Sequence, residues 1–128
     1  MESYDYDRSV AAGTLKPWGD SLVQWMGFLA KQVIDVVAKS RKFHGLKLNS
    51  RPYEGRGWED NIMGVDPNTG KPVNIKLYVY FSPEDAQVRT RVTFIKNREM
   101  DVVVDRAIGF RESSNPVIQE VSKYFAAA

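Results

Sequence analysis

Leu22, Trp25, Met26, Leu29, Val33, Val36 and Val37 recur at steps of three and four, the spacing that gathers side chains on one face of an α-helix. Asp20 or Ser21 can accept hydrogen bonds from the free amides of a first turn, and Lys39, Arg41 and Lys42 suit the negative end of the helix dipole. Gly45 can take the left-handed conformation just past the end. The pattern predicts a helix from about Ser21 to about Lys42.

Downstream the period changes to two. Val73, Ile75, Leu77, Val79 and Phe81 alternate with Asn74, Lys76, Tyr78 and Tyr80, which predicts a half-buried strand. Asp66-Pro67-Asn68-Thr69-Gly70-Lys71 has turn chemistry, so a strand from about Gly57 to Val65 should precede it in an antiparallel hairpin. Ser82-Pro83-Glu84-Asp85 reverses the chain into Val88, Thr90, Val92 and Phe94, which alternate with Arg89, Arg91, Thr93 and Ile95. Asn97-Arg98-Glu99 reverses it again into Met100, Val102 and Val104, a fourth strand. Ser114-Asn115-Pro116 then caps a short helix carrying Val117, Ile118, Val121, Tyr124 and Phe125.

Neighbouring strands must turn their apolar residues to the same side. This aligns Phe81 with Val88, Leu77 with Val92 and Phe94 with Val102. The other face then carries Tyr80 across from Arg89, Tyr78 across from Arg91, and Arg91 across from Asp105, with Asp101 also on that face. The alignment of the first hairpin stays open, because Asp60 breaks the alternation in one phase and Glu59 in the other. The expected architecture is α+β: a four-stranded antiparallel sheet with a long N-terminal helix and a short C-terminal helix packed on one face. Residues 1–19 read as an extended arm, and residues 20–128 as a single α+β domain.

Composition narrows the chemistry mostly by exclusion. At 128 residues the chain suits one core, and its 43% hydrophobic content argues against disorder throughout. It has no cysteine, which removes disulfides, thiolate metal sites and cysteine nucleophiles, and its one histidine, His44, follows the basic end of the first helix. No cofactor or metal site is expected: Asp66, Asn68 and Gly70 suggest a calcium loop only faintly and are explained as a turn, while Gly55-Arg56-Gly57 lacks the third glycine of a phosphate loop. Of the paired acids available for acid–base work, Glu59 and Asp60 point to opposite faces, Glu84 and Asp85 lie in a turn, and Asp101 and Asp105 share the outer face beside basic neighbours, as on an ordinary solvated sheet surface. Neither a targeting peptide nor an apolar run long enough for a bilayer is recognisable, so the expectation is a soluble, cytoplasmic protein without a membrane partner.

What remains is the outer-face set Lys76, Tyr78, Tyr80, Arg89 and Arg91, with Arg56 and Trp58 as further candidates. Tyrosine and arginine are enriched at protein interfaces, and the same pair can stack bases and hold phosphates. In the arm, Tyr4, Asp5, Tyr6 and Asp7 alternate aromatic and acidic groups, a pattern able to dock on a basic, apolar neighbour. The expected function is therefore a small non-enzymatic subunit, acting by contact with a protein partner or as a homo-oligomer, through Tyr4, Tyr6 and the sheet face. The alternative is single-stranded nucleic-acid binding on that face, against which stand the net charge of +2 and the acids Asp101 and Asp105 beside the track. A weaker alternative is a ligand pocket between helix and sheet lined by Trp25, Met26, Leu77 and Phe94.

Overall fold

Helical and two-residue periodicities follow one another along the computed structural model as α1 (Asp20–Lys39), β1 (His44–Tyr53), β2 (Gly57–Val65), β3 (Pro72–Ser82), β4 (Gln87–Lys96), β5 (Glu99–Gly109) and α2 (Asn115–Ala126). The structure describes residues 20–40, 43–53, 56–109 and 112–126. The expected arm over residues 1–19, with Tyr4 and Tyr6, lies outside the described residues, as do Arg41 and Lys42. The sheet is antiparallel, in the order β1-β2-β3-β4-β5, so it has five strands where the apolar pattern predicts four.

The additional strand is β1. Its sequence, HGLKLNSRPY, has no Val, Ile or Thr and only two aliphatic side chains, Leu46 and Leu48, so the alternation is too thin to stand out. Gly45 does take a positive φ of 60°, but inside β1 at an irregularity between His44 and Lys47, not as the cap of α1. Helix α1 closes at Lys39, where the Ser40 amide and hydroxyl both donate to the carbonyl of Val37.

One face of the sheet, hereafter inner, meets both helices. Leu22, Met26, Leu29, Ala30, Val33, Ile34 and Val37 of α1 and Val117, Val121 and Phe125 of α2 form one buried cluster with Trp58, Ile62, Ile75, Leu77, Val79, Val88, Val92, Val104 and Ile108. Leu29 is 1% exposed, whereas Trp25, expected beside it, is only half-buried at the margin. Of the four residues named as lining a pocket between helix and sheet, Met26 and Leu77 are fully buried and Trp25 and Phe94 half-buried. The Ser114 hydroxyl donates to Gln32 Oε1 across the helix pair, while its carbonyl takes the first helical bond of α2 from Ile118. On β5, Arg106 binds Glu120 of α2.

Strand pairing confirms Phe81 opposite Val88, Leu77 opposite Val92, Tyr80 opposite Arg89, Tyr78 opposite Arg91 and Arg91 opposite Asp105. Phe94, however, pairs with Asp101 and not with Val102. A bulge between Val92 and Thr93 makes Val92 face Val104 but Thr93 face Val102, leaving Val103 as an extra residue on β5. One extra residue reverses every side chain beyond it. Met100 and Val102, expected in the core, turn to the outer face at 56% and 50% exposure, and Asp101 leaves that face to accept a hydrogen bond from Tyr124 of α2 at 2.9 Å. Burial and this bond push the Tyr124 hydroxyl up to about 12.

The turn from β4 to β5 places Asn97 and Arg98 at φ 53° and 67°, the paired positive values of a two-residue hairpin. Asparagine tolerates this and arginine does not. Arg98→Gly should therefore stabilise the fold by about 0.5 kcal/mol, relief of left-handed strain exceeding the entropy added to the unfolded chain. Leu29→Ala should cost about 2 to 5 kcal/mol in denaturant titration, and a loss under about 0.5 kcal/mol would contradict its place at the centre of the core.

Candidate functional site

With the inner face closed, the outward residues of five paired strands form a grid. β1 contributes Lys47, Asn49, Arg51 and Tyr53; β2 contributes Met63, Asn61, Glu59 and Gly57; β3 contributes Asn74, Lys76, Tyr78 and Tyr80. β4 adds Ile95, Thr93, Arg91 and Arg89, and β5 adds Met100, Val102, Asp105 and Ala107. Lys76, Tyr78, Tyr80, Arg89 and Arg91 thus stand on adjacent strands of one face. Trp58 does not join them: it pairs with Val79, faces inward and is 1% exposed. Arg56 does, with its guanidinium 5.8 Å from the centroid of the Tyr80 ring.

The two ends of this face differ in chemistry. At one end Tyr53 reaches across Gly57 to Tyr80, with ring centroids 5.2 Å apart, and to Tyr78 at 5.4 Å. Between them β2 and β3 approach so closely that a Cβ on Gly57 would sit 1.9 Å from the carbonyl oxygen of Val79. The next row holds Glu59, whose side chain is only 5% exposed although it belongs to the outer face. Arg51 Nε donates to its Oε2, Tyr78 Oη donates to Oε1 at 3.0 Å, and Lys76 Nζ lies 3.9 Å away. Burial pushes the Glu59 pKa up, but the bonds from Arg51 and Tyr78 and the charges of Arg51 and Lys76 outweigh it and leave the carboxyl below its ordinary value of 4.5. The Tyr78 hydroxyl is raised, by burial and by the adjoining carboxylate.

Asp105, the other acid of the face, pairs with Arg89 at 3.6 Å. Arg91 is half-buried and has no ion pair among the described residues. Lys47, Arg51, Arg56, Lys76, Arg89 and Arg91 against Glu59 and Asp105 leave this face with a surplus of four positive charges, where the whole chain has a net +2.

At the other end the face is apolar. Met63, Val65, Met100 and Val102 are 43%, 39%, 56% and 50% exposed, and Ile95 lies among them. Met63, Pro72, Asn74, Ile95, Asn97 and Arg98 line a groove of about 470 Å³ there. At its floor the buried Oδ1 of Asn74 finds no hydrogen-bond partner among the described residues.

Arg51 and Tyr53 are absent from the residues picked out by pattern, and Glu59 enters there only as one of a pair of acids, because the three become neighbours only once β1 pairs with β2. Met100 and Val102 are absent because a run of three valines carries no phase that would reveal the bulge. The turn Asp66-Pro67-Asn68 is held by its own contacts: Asp66 Oδ1 accepts from the Asn68 amide at 2.9 Å, and Oδ2 meets Lys96 Nζ at 2.6 Å. No cluster of three or more metal-ligating side chains occurs among the described residues, and no helix among them is long and apolar enough to cross a membrane. Comparison with family models, curated proteins and solved structures gives no match.

Because its folded pKa is depressed, Glu59 contributes stability that is complete above about pH 4.5 and is lost as pH falls through the folded value. Glu59→Gln should cost about 1.5 to 3 kcal/mol at neutral pH, and the gap to the wild type should narrow below pH 4.5. A gap that is constant from pH 7 to pH 3 in thermal unfolding would contradict the charge-assisted cluster.

Proposed function

We propose that the chain is a small non-enzymatic assembly subunit that docks a protein through the outer face of its sheet. The observation that carries this reading is the continuity of Met63, Val65, Ile95, Met100 and Val102 with the Tyr–Arg end on a face that neither α1 nor α2 covers among the described residues. Contiguous exposed apolar side chains on a folded domain mark contact surfaces, and Tyr and Arg are the residues that concentrate binding energy there. A phosphate track has no use for the methionine and valine end.

Single-stranded nucleic acid is the second reading. It is favoured by the surplus of four cations, and by the bulge, which takes Asp101 off the face and so removes half of the acidic repulsion expected there. Against it stand the tyrosines. Tyr53 meets Tyr78 and Tyr80 at interplanar angles of 68° and 49°, so the rings spend their surfaces on one another and do not present flat platforms to bases.

Light scattering on the purified chain, with and without a fifteen-nucleotide oligothymidine, separates the two. Met100→Asp combined with Val102→Asp should lower the assembled mass towards 14.6 kDa while leaving the melting temperature within a few degrees, since neither side chain belongs to the core. Tight, salt-sensitive oligonucleotide binding, lost in Arg89→Glu/Arg91→Glu, would overturn the protein reading in favour of the second.

A further inference from the structure

We propose that the outer face takes residues 2–8 of a second copy, so that copies join head to tail; this rests on the outer-face reading above. The segment is Glu2-Ser3-Tyr4-Asp5-Tyr6-Asp7-Arg8, with three acids and two tyrosines. Its composition complements the face on both counts. The face has four surplus positive charges, its two acids are already engaged, and Arg91 is half-buried with no carboxylate partner among the described residues.

The alternation of the segment matches the division of the face. In an extended chain, successive side chains point to opposite sides. Laid across the five strands along the boundary between the two ends, it sends Tyr4 and Tyr6 over Met63, Ile95 and Met100, and Asp5 and Asp7 over Arg91 and Lys76. The lengths agree: seven extended residues span about 23 Å, and five strands at about 4.8 Å spacing span about 19 Å.

A symmetric dimer of two outer faces is disfavoured by the same charges, because it would set cation against cation. A heterologous contact, arm on face, has no such penalty and repeats from copy to copy. The eleven residues 9–19 reach at most about 36 Å, enough to pass from the start of α1 to a neighbouring chain.

The test uses full-length chains in light scattering. Asp5→Lys/Asp7→Lys reverses the arm's net charge from −2 to +2, and Arg91→Glu reverses the centre of the face. Each alone should be monomeric at 14.6 kDa, with the apparent Kd of association raised at least tenfold, and an equimolar mixture should recover a mass of two chains, since each variant keeps the half the other lacks. A peptide of residues 1–12 should dissociate the wild-type assembly, and its Asp5→Lys/Asp7→Lys version should not. If the arm variant keeps the wild-type mass while Met100→Asp/Val102→Asp dissociates, the arm is not the occupant and the outer-face reading stands. If the mixture stays monomeric, or the wild type is itself monomeric, the head-to-tail contact is overturned. If neither arm nor face variants change the mass of an assembled wild type, both readings fall.

Discussion

Closure of the inner face beneath α1 and α2 dictates the chemistry of the outer one, because strand side chains alternate and every residue that leaves the core has one place to go. Ile75, Leu77 and Val79 are fully buried, so Asn74, Lys76, Tyr78 and Tyr80 are driven outward as a set. The same parity runs through β2 and β4. Nothing about the outer surface needs to be selected one residue at a time; the phase of each strand against the helices supplies it.

That dependence also explains which parts of the molecule are legible in the sequence. α1 is legible because seven apolar side chains hold one helical face, and the β3–β4 pairing because two strands of strict alternation admit only one alignment that keeps both apolar sets together. β1 is an edge strand whose outward residues are Lys47, Asn49, Arg51 and Tyr53, so it resembles a polar loop until its pairing with β2 is known. The first hairpin cannot be phased because Trp58, Glu59 and Asp60 are consecutive and all buried, one of them on the opposite face from the other two. Asp60 faces inward and Glu59 outward. A rule that equates burial with apolar character fails on both.

Glu59 shows why a buried charge can sit on an outer face. Arg51 reaches it from β1 and Lys76 and Tyr78 from β3, so side chains from the flanking strands both shield it from water and satisfy it. Removing any one partner leaves the carboxylate buried and short of a donor, which is the costly case for an ion pair. The cluster therefore locks β1, an edge strand, to the centre of the sheet, and the packing of Tyr53 against Tyr80 reinforces the lock.

The bulge at Val92 and Thr93 has the larger consequence for function. Without it Met100 and Val102 would lie beneath the helices and Asp101 and Val103 would face outward, setting an acid beside Met63, Val65 and Ile95. With it, two apolar side chains come out and one acid goes in, where Tyr124 holds it. The exchange costs hydrophobic burial on β5, an edge strand that could have contributed more to the core. It leaves in return an apolar end beside a cationic one, on the face of the sheet opposite α1 and α2. On the proposed reading the bulge re-aims side chains for contact at the expense of packing, and a partner that fits would divide its apolar and acidic groups between two sides.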